Sequence, residues 1–476
     1  MNSLSNINIK CKSNFSINFS GGDMTSDAGL ALLNEFMGAI GFSRMAKDAF
    51  GQSCSLKTYD NADLLAQKIL MLLCGYGTDD EADHLAHDPM FRLLLGKKRL
   101  ASQPTLSRFV RRLDESSVHH MEKLNWNLLR LAYQRKPPEN IVLDVDTTLL
   151  PTYGKQEGGA YVYHYDAVGF HPIAVFDGLT GDLVRVELRK GNHYCGKDAD
   201  MFLKPVLEAY DRDYPGTNVL MRGDSGFATP KLYDLVESYG YQYVIRLKQN
   251  QRLVDAVKDV CDEVTAEAAK SDKTYFVRYC EFKYQAASWS RERRVVCRIE
   301  LHKREEQSLF PDSLMFIVTN LDAPMQEVVA AYCKRGTMEN FFKEAKNEFA
   351  FTHMSSRSML TNSNRLWIAA LAYNIFNLFR RFCLNKKWQS YRAHELRLRL
   401  MKIAGRVTRH ANKTIFKLCS SCPHQEVFRC SRRVKFAKLR RSKNANSGRL
   451  KFANLSQSKR ANHKISTAQI GCSGYG

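Results

Sequence analysis

Apolar residues recur at helical spacing through the first quarter of the chain. Thr25-Ser26 precede the run from Ala28 to Met37, a second run extends from Ala62 to Cys74, and Ser102-Gln103-Pro104-Thr105 opens a third with a capping serine and an early proline. These signals predict a helical segment over residues 1–136. From Pro138 the period falls to two. Asn140–Asp146, Tyr161–Phe176 and Leu183–Leu188 alternate as strands do, with turn signals at Gly154 and over Asp177–Gly181. Three strands joined by short turns predict an antiparallel meander. A helix over Asp198–Tyr210, a strand over Asn218–Asp224, a helix over Pro230–Tyr239 and a strand over Tyr241–Leu247 follow.

Meander, helix, strand, helix, strand is the order of an α/β, RNase H-like mixed sheet flanked by helices, here over residues 137–250. Alternating runs at Tyr275–Tyr284, Arg294–Leu301 and Leu314–Thr319 predict that residues 251–325 are an inserted β-rich subdomain. Helical spacing returns at Pro324 and continues to about Cys419, so residues 326–426 complete the core and add C-terminal helices. Short N-terminal helices with basic ends suit a DNA-binding domain, and Arg108, Arg111 and Arg112 cluster on the third of them.

Charge sharpens this outline. The chain of 476 residues carries a formal charge of +22, with 44% hydrophobic residues, enough to bury large cores. Such an excess implies a polyanionic partner. Thirteen Lys/Arg and no acid lie between Val427 and Gly476, leaving +9 for residues 1–426. That Ser- and Asn-rich tail, 427–476, is expected to be a poorly ordered basic arm.

Thirteen cysteines at wide spacings, and an N-terminus without a basic region followed by a continuous apolar core, predict a reducing, cytoplasmic setting. The longest apolar stretch, Leu366–Phe379, holds two Asn and runs into Arg380-Arg381, short of the roughly 20 residues that a membrane span needs. Cys419 and Cys422, with His424 and Cys430 nearby, lack a second well-spaced ligand pair for zinc. Asp79, Asp80, Glu81, Asp83, His84, His87 and Asp88 crowd one segment as a metal cluster would. Consecutive side chains point around a helix rather than to one centre, so cap and dipole roles fit better.

Three carboxylates sit where the predicted sheet would gather them. Asp144 and Asp146 share one face of the first strand, and Asp224 ends the fourth, which such a sheet places beside the first. Gathered carboxylates raise one another's pKa unless a divalent cation neutralises them, and Mg²⁺ suits oxygen donors. A further acid comes from a helix predicted over residues 326–346. At about 100° per residue, Tyr332, Arg335, Glu339 and Lys346 fall within an arc of roughly 60°, whereas Glu344 and Glu348 point roughly 120° or more away. An acid among cations and a phenol is what a metal-plus-phosphate site requires.

The spacing Tyr332-(2)-Arg335-(3)-Glu339-(6)-Lys346 resembles the signature of the insertion-sequence DDE transposases with an inserted β-domain. Supporting strings are Leu143–Gly158 around Asp146, Met221–Phe227 around Asp224, and Thr25–Leu33, Asp80–Pro89 and Ser102–Phe109 in the helical part. The resemblance spans about residues 20–428 and implies that Asp146, Asp224 and Glu339 are catalytic metal ligands. Asp146 is preferred to Asp144 because Asp146-Thr147-Thr148 resembles the family's Asp-x-Thr string; both remain open by face. The resemblance further implies two Mg²⁺ ions, with Mn²⁺ as a substitute, and in-line displacement at phosphorus. Tyr332, Arg335 and Lys346 would contact transposon-end phosphates, Trp289 would stack on a displaced base, and Arg108 would join the DNA-binding surface. Double-stranded DNA, a homodimer pairing both ends, and no membrane complete the implied partners. A non-enzymatic DNA-binding protein, or an RNase H-type nuclease without strand transfer, stands as the rival.

Overall fold

A computed structural model describes residues 7–9, 15–50, 58–134, 137–303, 311–410 and 413–428. The expected disordered arm, beyond Phe428, lies outside the described residues. An eight-stranded sheet is built from β1 (Asn140–Thr147), β2 (Ile173–Asp177), β3 (Leu183–Glu187), β4 (Asn218–Gly223), β5 (Gln242–Arg246), β6 (Tyr275–Tyr284), β7 (Arg293–His302) and β8 (Ser313–Thr319). The order across it is β6-β7-β8-β5-β4-β1-β2-β3. β1, β2 and β3 are antiparallel neighbours, whereas β1, β4 and β5 run parallel.

Parallel pairing needs crossovers, and the helices Ala199–Asp213 and Pro230–Ser238 supply them. Their apolar faces, including Phe202, Leu203, Leu207, Leu232 and Tyr233, pack with Ile141, Leu143 and Val145 of β1. Period two therefore turns Asp144 and Asp146 to the opposite face. There Phe176 of β2 meets Phe341, Phe342 and Tyr373 at ring distances of 5.8, 5.2 and 5.9 Å.

Several elements differ from the sequence expectation. The strands of residues 251–325 do not fold apart: β8 pairs with β5, matching Thr319 to Val244, so β6–β8 lengthen the central sheet. Alternation reveals a strand but not its neighbour, and the unpaired edge of β5 is a ready template. The segment Tyr161–Phe176 is not one strand. Ala160–Val162 and Ala167–Phe170, separated by a 3₁₀ turn at Tyr163–Tyr165, join Leu150–Pro151 in a small sheet of their own. Pro172, which has no N–H to donate, separates them from β2. Gly405–His410 and Lys413–Leu418 form a hairpin where helix was expected, and its first strand pairs with Met24–Thr25.

The apolar stretch around Leu366–Phe379 lies within a 25-residue helix, Met359–Cys383. Its buried asparagines all bond to residues outside the helix. Asn374 Oδ1 accepts from Leu183 N at 2.9 Å, while its Nδ2 donates to Leu183 O at 2.7 Å and Asn125 Oδ1 at 2.6 Å. Asn377 Nδ2 donates to Thr180 O at 3.1 Å and Asp182 Oδ1 at 2.7 Å. Asn374 thus imitates a neighbouring strand at the edge of β3. Among the described residues, no helix is long and apolar enough to cross a membrane. The helices Leu30–Ile40, Asn61–Leu73 and Glu115–Tyr133 pack on Met359–Cys383 in one continuous core. The boundary expected at residue 136 is therefore not a packing boundary.

β1 and β4 are further joined by a buried ion pair. Arg222 Nε and Nη2 donate to Asp144 Oδ1 and Oδ2 at 2.5 and 2.6 Å, and Arg222 Nη1 donates to Ala331 O at 2.9 Å. The Gly178 backbone passes so close that an added Cβ would lie 2.5 Å from Asp144 Oδ2.

Asn374→Leu is expected to destabilise the fold by about 2–4 kcal/mol in urea denaturation, because Leu183 N and Asn125 Oδ1 lose their partner in the core. Asp144→Ala, which leaves Arg222 buried without its counter-ion, is expected to cost about 3–5 kcal/mol, and pairing Asp144→Leu with Arg222→Met should recover much of it.

Candidate active site

The parallel register that sets Gly223 beside Val145 brings Asp224 next to Asp146 at the carboxyl ends of β4 and β1. In open α/β sheets this crevice is the usual place for ligands. Asp146 Oδ1 accepts the N–H of Thr147 at 2.8 Å, and Asp224 Oδ1 accepts that of Gly226 at 2.9 Å, which caps the 3₁₀ turn Ser225–Phe227. The other oxygens face one guanidinium: Arg335 Nη1 is 3.4 Å from Asp146 Oδ2, and Nη2 is 3.7 Å from Asp224 Oδ2.

Arg335 arrives on an interrupted helix. The expected continuous helix is an α-helix over Met325–Cys333, a 3₁₀ turn at Lys334–Gly336, and an α-helix over Thr337–Glu348. Gly336 weakens helical preference at this point. Three residues at 120° rather than 100° shift the downstream face by about 60°. Tyr332, half-buried, lies against Arg335 and Arg246, with the Asp224 charge also felt there. Glu339 is exposed and close enough for its charge to act on Asp146. Lys346 is apart from this group: burial lowers its pKa, with no charged neighbour contributing. Fourteen residues of rise place it roughly 20 Å along the axis from Tyr332, a separation that an angular projection does not register.

Burial pushes the Asp146 carboxyl up to about 6, against the pull of Arg335, with Asp224 and Glu339 adding to the rise. Burial also works against the charge on Arg335, but Asp146, Tyr332 and Asp224 outweigh it and raise its pKa. The site is a crowded set of acids held by one arginine. Among the described residues no three acidic, histidine or cysteine side chains converge at metal-ligand distance, since Glu339 stands back from the pair that Arg335 bridges. The donor set nevertheless fits a hard divalent cation: carboxylate oxygens from two adjacent strands and one helix, with a charge deficit that an arginine now fills.

Asp144 has both oxygens engaged by Arg222, on the same face but deeper. Trp289, expected to stack on a base, is 7% exposed and packs on Tyr233, Tyr284 and Arg293 between β6 and β7. Its ring fills a core rather than standing on the surface. Arg108 projects from the helix Gln103–Arg112, exposed, with Nη2 3.5 Å from Thr105 Oγ1 of its own turn. The crowded acids near Asp79 serve structure. Asp79 pairs with Lys68 and Arg365, Glu81 accepts from Thr78 N, and Asp88 caps the helix Pro89–Leu95. His424 turns its ring to Trp388, 4.9 Å away, rather than to Cys419 or Cys422.

Other residues at the site were not singled out by sequence. Arg222 occupies the position before Gly223-Asp224, and Arg246 ends β5 beside β4; a cation near the carboxyl end of a parallel strand was the available signal. Tyr165 places its hydroxyl 3.3 Å from Thr147 O; burial, with Asp146 adding, pushes its pKa up to about 12. Cys195 and Tyr194 lie near Asp224 on the loop after β3. Nothing in the local pattern marks that loop.

The sequence profile of the family described as Transposase DDE domain group 1 matches residues 8–442. No curated protein matches the chain. Among solved structures, the piggyBac transposase synaptic complex with hairpin DNA aligns over 79% of this chain and 80% of its own, at 12% identity and a TM-score of 0.37. The Mos1 transposase paired-end complex with the left transposon end aligns over 40% and 60%, at 15% identity and a TM-score of 0.17. With the profile covering most of its length, the chain belongs to the DDE transposase family.

Proposed function

We propose that this chain is the transposase of an insertion sequence, binding the element's terminal inverted repeats and carrying out cut-and-paste DNA transposition. The observation that carries the proposal is the placement of Asp146 and Asp224 side by side, with Glu339 on the helix that faces them. The sheet order β3-β2-β1-β4-β5, with β1–β3 antiparallel and β4 and β5 parallel to β1, supports an RNase H-like core. Asp146, Asp224 and Glu339 would hold Mg²⁺, two ions in the active complex, with Mn²⁺ able to replace them. When bound, these ions lower the pKa of the attacking hydroxyl and neutralise the leaving oxygen in an in-line displacement.

The protein's own part is positional. Asp146 and Asp224 are fixed by backbone N–H groups, so their free oxygens share one direction. Arg335, already presenting two Nη atoms to that direction, can turn its fork to a phosphodiester. Tyr332 and Arg246 flank it, and Lys346 reaches phosphates farther along the DNA. The basic helix bearing Arg108 serves the same duplex. Two copies paired as a homodimer hold both ends, in the cytoplasm at the nucleoid. Trp289 we assign to packing.

With Mg²⁺ and duplex DNA carrying the element's own end, the parent protein is expected to cut and join, while Asp146→Asn, Asp224→Asn and Glu339→Gln bind but cut about a thousandfold more slowly, a barrier increase of about 4 kcal/mol. Strand breaks without joined products would favour the nuclease, and full activity of Asp224→Ala the binding protein. Lys346→Ala should weaken binding to all sequences alike and reduce the slope of log K against log salt by about 0.9, measured by fluorescence anisotropy.

A further inference from the structure

The small sheet beside the site carries an unusual outer surface. In Tyr161-Val162-Tyr163-His164-Tyr165, alternation buries Val162 and turns Tyr161 and Tyr163 outward. The 3₁₀ turn Tyr163–Tyr165, closed by Asp166 at φ 49°, keeps His164 exposed and leaves Tyr165 partly so. Tyr163 is 88% exposed and Tyr194, on the facing loop, 62%. Tyr161 meets the Tyr163 ring edge-to-face at 5.1 Å, and His164 meets Tyr165 likewise at 4.8 Å. These contacts brace the rings while leaving Tyr163 almost wholly open to solvent.

The surface is continuous with the acids. Tyr165 reaches the carbonyl of Thr147, the residue after Asp146. Tyr194 precedes Cys195, whose Sγ lies against Gly226, two residues after Asp224. Tyrosines therefore border both strand ends. The exposed Lys190 lays its stem against Gly158, two residues before Ala160 of the same sheet, which puts a lysine at its base.

Flat rings with polar edges, next to a phosphodiester site and a lysine, match nucleobases better than an apolar peptide. A base within duplex DNA is already stacked on its neighbours, so only an unpaired base has a face to offer. We propose that Tyr161, Tyr163, Tyr165 and Tyr194 form a stacking strip for unpaired bases of the DNA strand whose phosphodiester lies at Asp146 and Asp224. The proposal rests on the function given above and adds the form of DNA the site accepts: a locally unpaired strand end.

The test uses full-length protein in EDTA, which prevents cutting. Its probes are two DNAs of the element's end, one fully paired and one with three unpaired terminal nucleotides carrying 2-aminopurine. Tyr163, being almost wholly exposed, can be replaced without opening a core. Tyr163→Ala and Tyr163→Leu should each weaken binding of the unpaired-end DNA about tenfold, leave the paired DNA within about twofold, and lose 2-aminopurine quenching, whereas Tyr163→Phe keeps parental values. Equal binding by the Leu and Phe variants, or equal weakening on both DNAs, would overturn the strip. Cutting with Mg²⁺ is scored separately. If the parent cuts the paired DNA and Asp224→Asn does not, failure of the tyrosine test removes the strip alone; if neither cuts, the functional reading fails and takes the strip with it.

Discussion

The arrangement of the site depends on Arg222. It lies on β4 two residues before Asp224, grips Asp144 on β1 two residues before Asp146, and donates its remaining nitrogen to the carbonyl of Ala331. One side chain thus fixes the two strands that carry Asp146 and Asp224 and the helix Met325–Cys333, which leads through the 3₁₀ turn to the helix bearing Glu339. Its bidentate geometry resists both sliding and rotation, which a lysine at the same position could not do. The cost is two charges taken out of water, tolerable only because every contact is made.

From that clasp the local electrostatics follow. With the strands locked, Asp146 and Asp224 cannot separate to relieve their repulsion, and Arg335 is drawn between them. The 3₁₀ turn at Lys334–Gly336 delivers this arginine while leaving Glu339 at the margin. The two strand acids are thereby held in one orientation, while the element bearing the third acid retains a weak point about which it can turn.

Much of this was legible in the sequence. Period-two alternation put Asp144 and Asp146 on one face, and the order of elements set β4 beside β1. The four-residue spacing on the helix pointed to Tyr332, Arg335 and Glu339, three residues the fold brings together around the acids. The same reasoning separated Glu344 and Glu348, which pair with Arg380 and Arg397 instead. What it could not supply depends on distant partners. The choice between Asp144 and Asp146 turns on Arg222, 78 residues away in sequence. The burial of Trp289 depends on a helix before the inserted strands. Angular periodicity carries no information about axial distance, so Lys346 was grouped with residues it does not accompany.

The closing of the N-terminal segment by the hairpin Gly405–Leu418 has a temporal meaning. Ala28 N donates to Ile403 O, and Lys402 pairs with Asp27, so this N-terminal segment is secured by residues made about 375 positions later. The helix Met359–Cys383, which fills the shared core, is likewise translated long after β1 and β4. At about 5–20 residues per second, the ribosome needs on the order of tens of seconds to pass from β1 to that hairpin. For most of this interval the strand carboxylates exist without Arg335 and Glu339, and for all of it without the hairpin that secures the N-terminal segment.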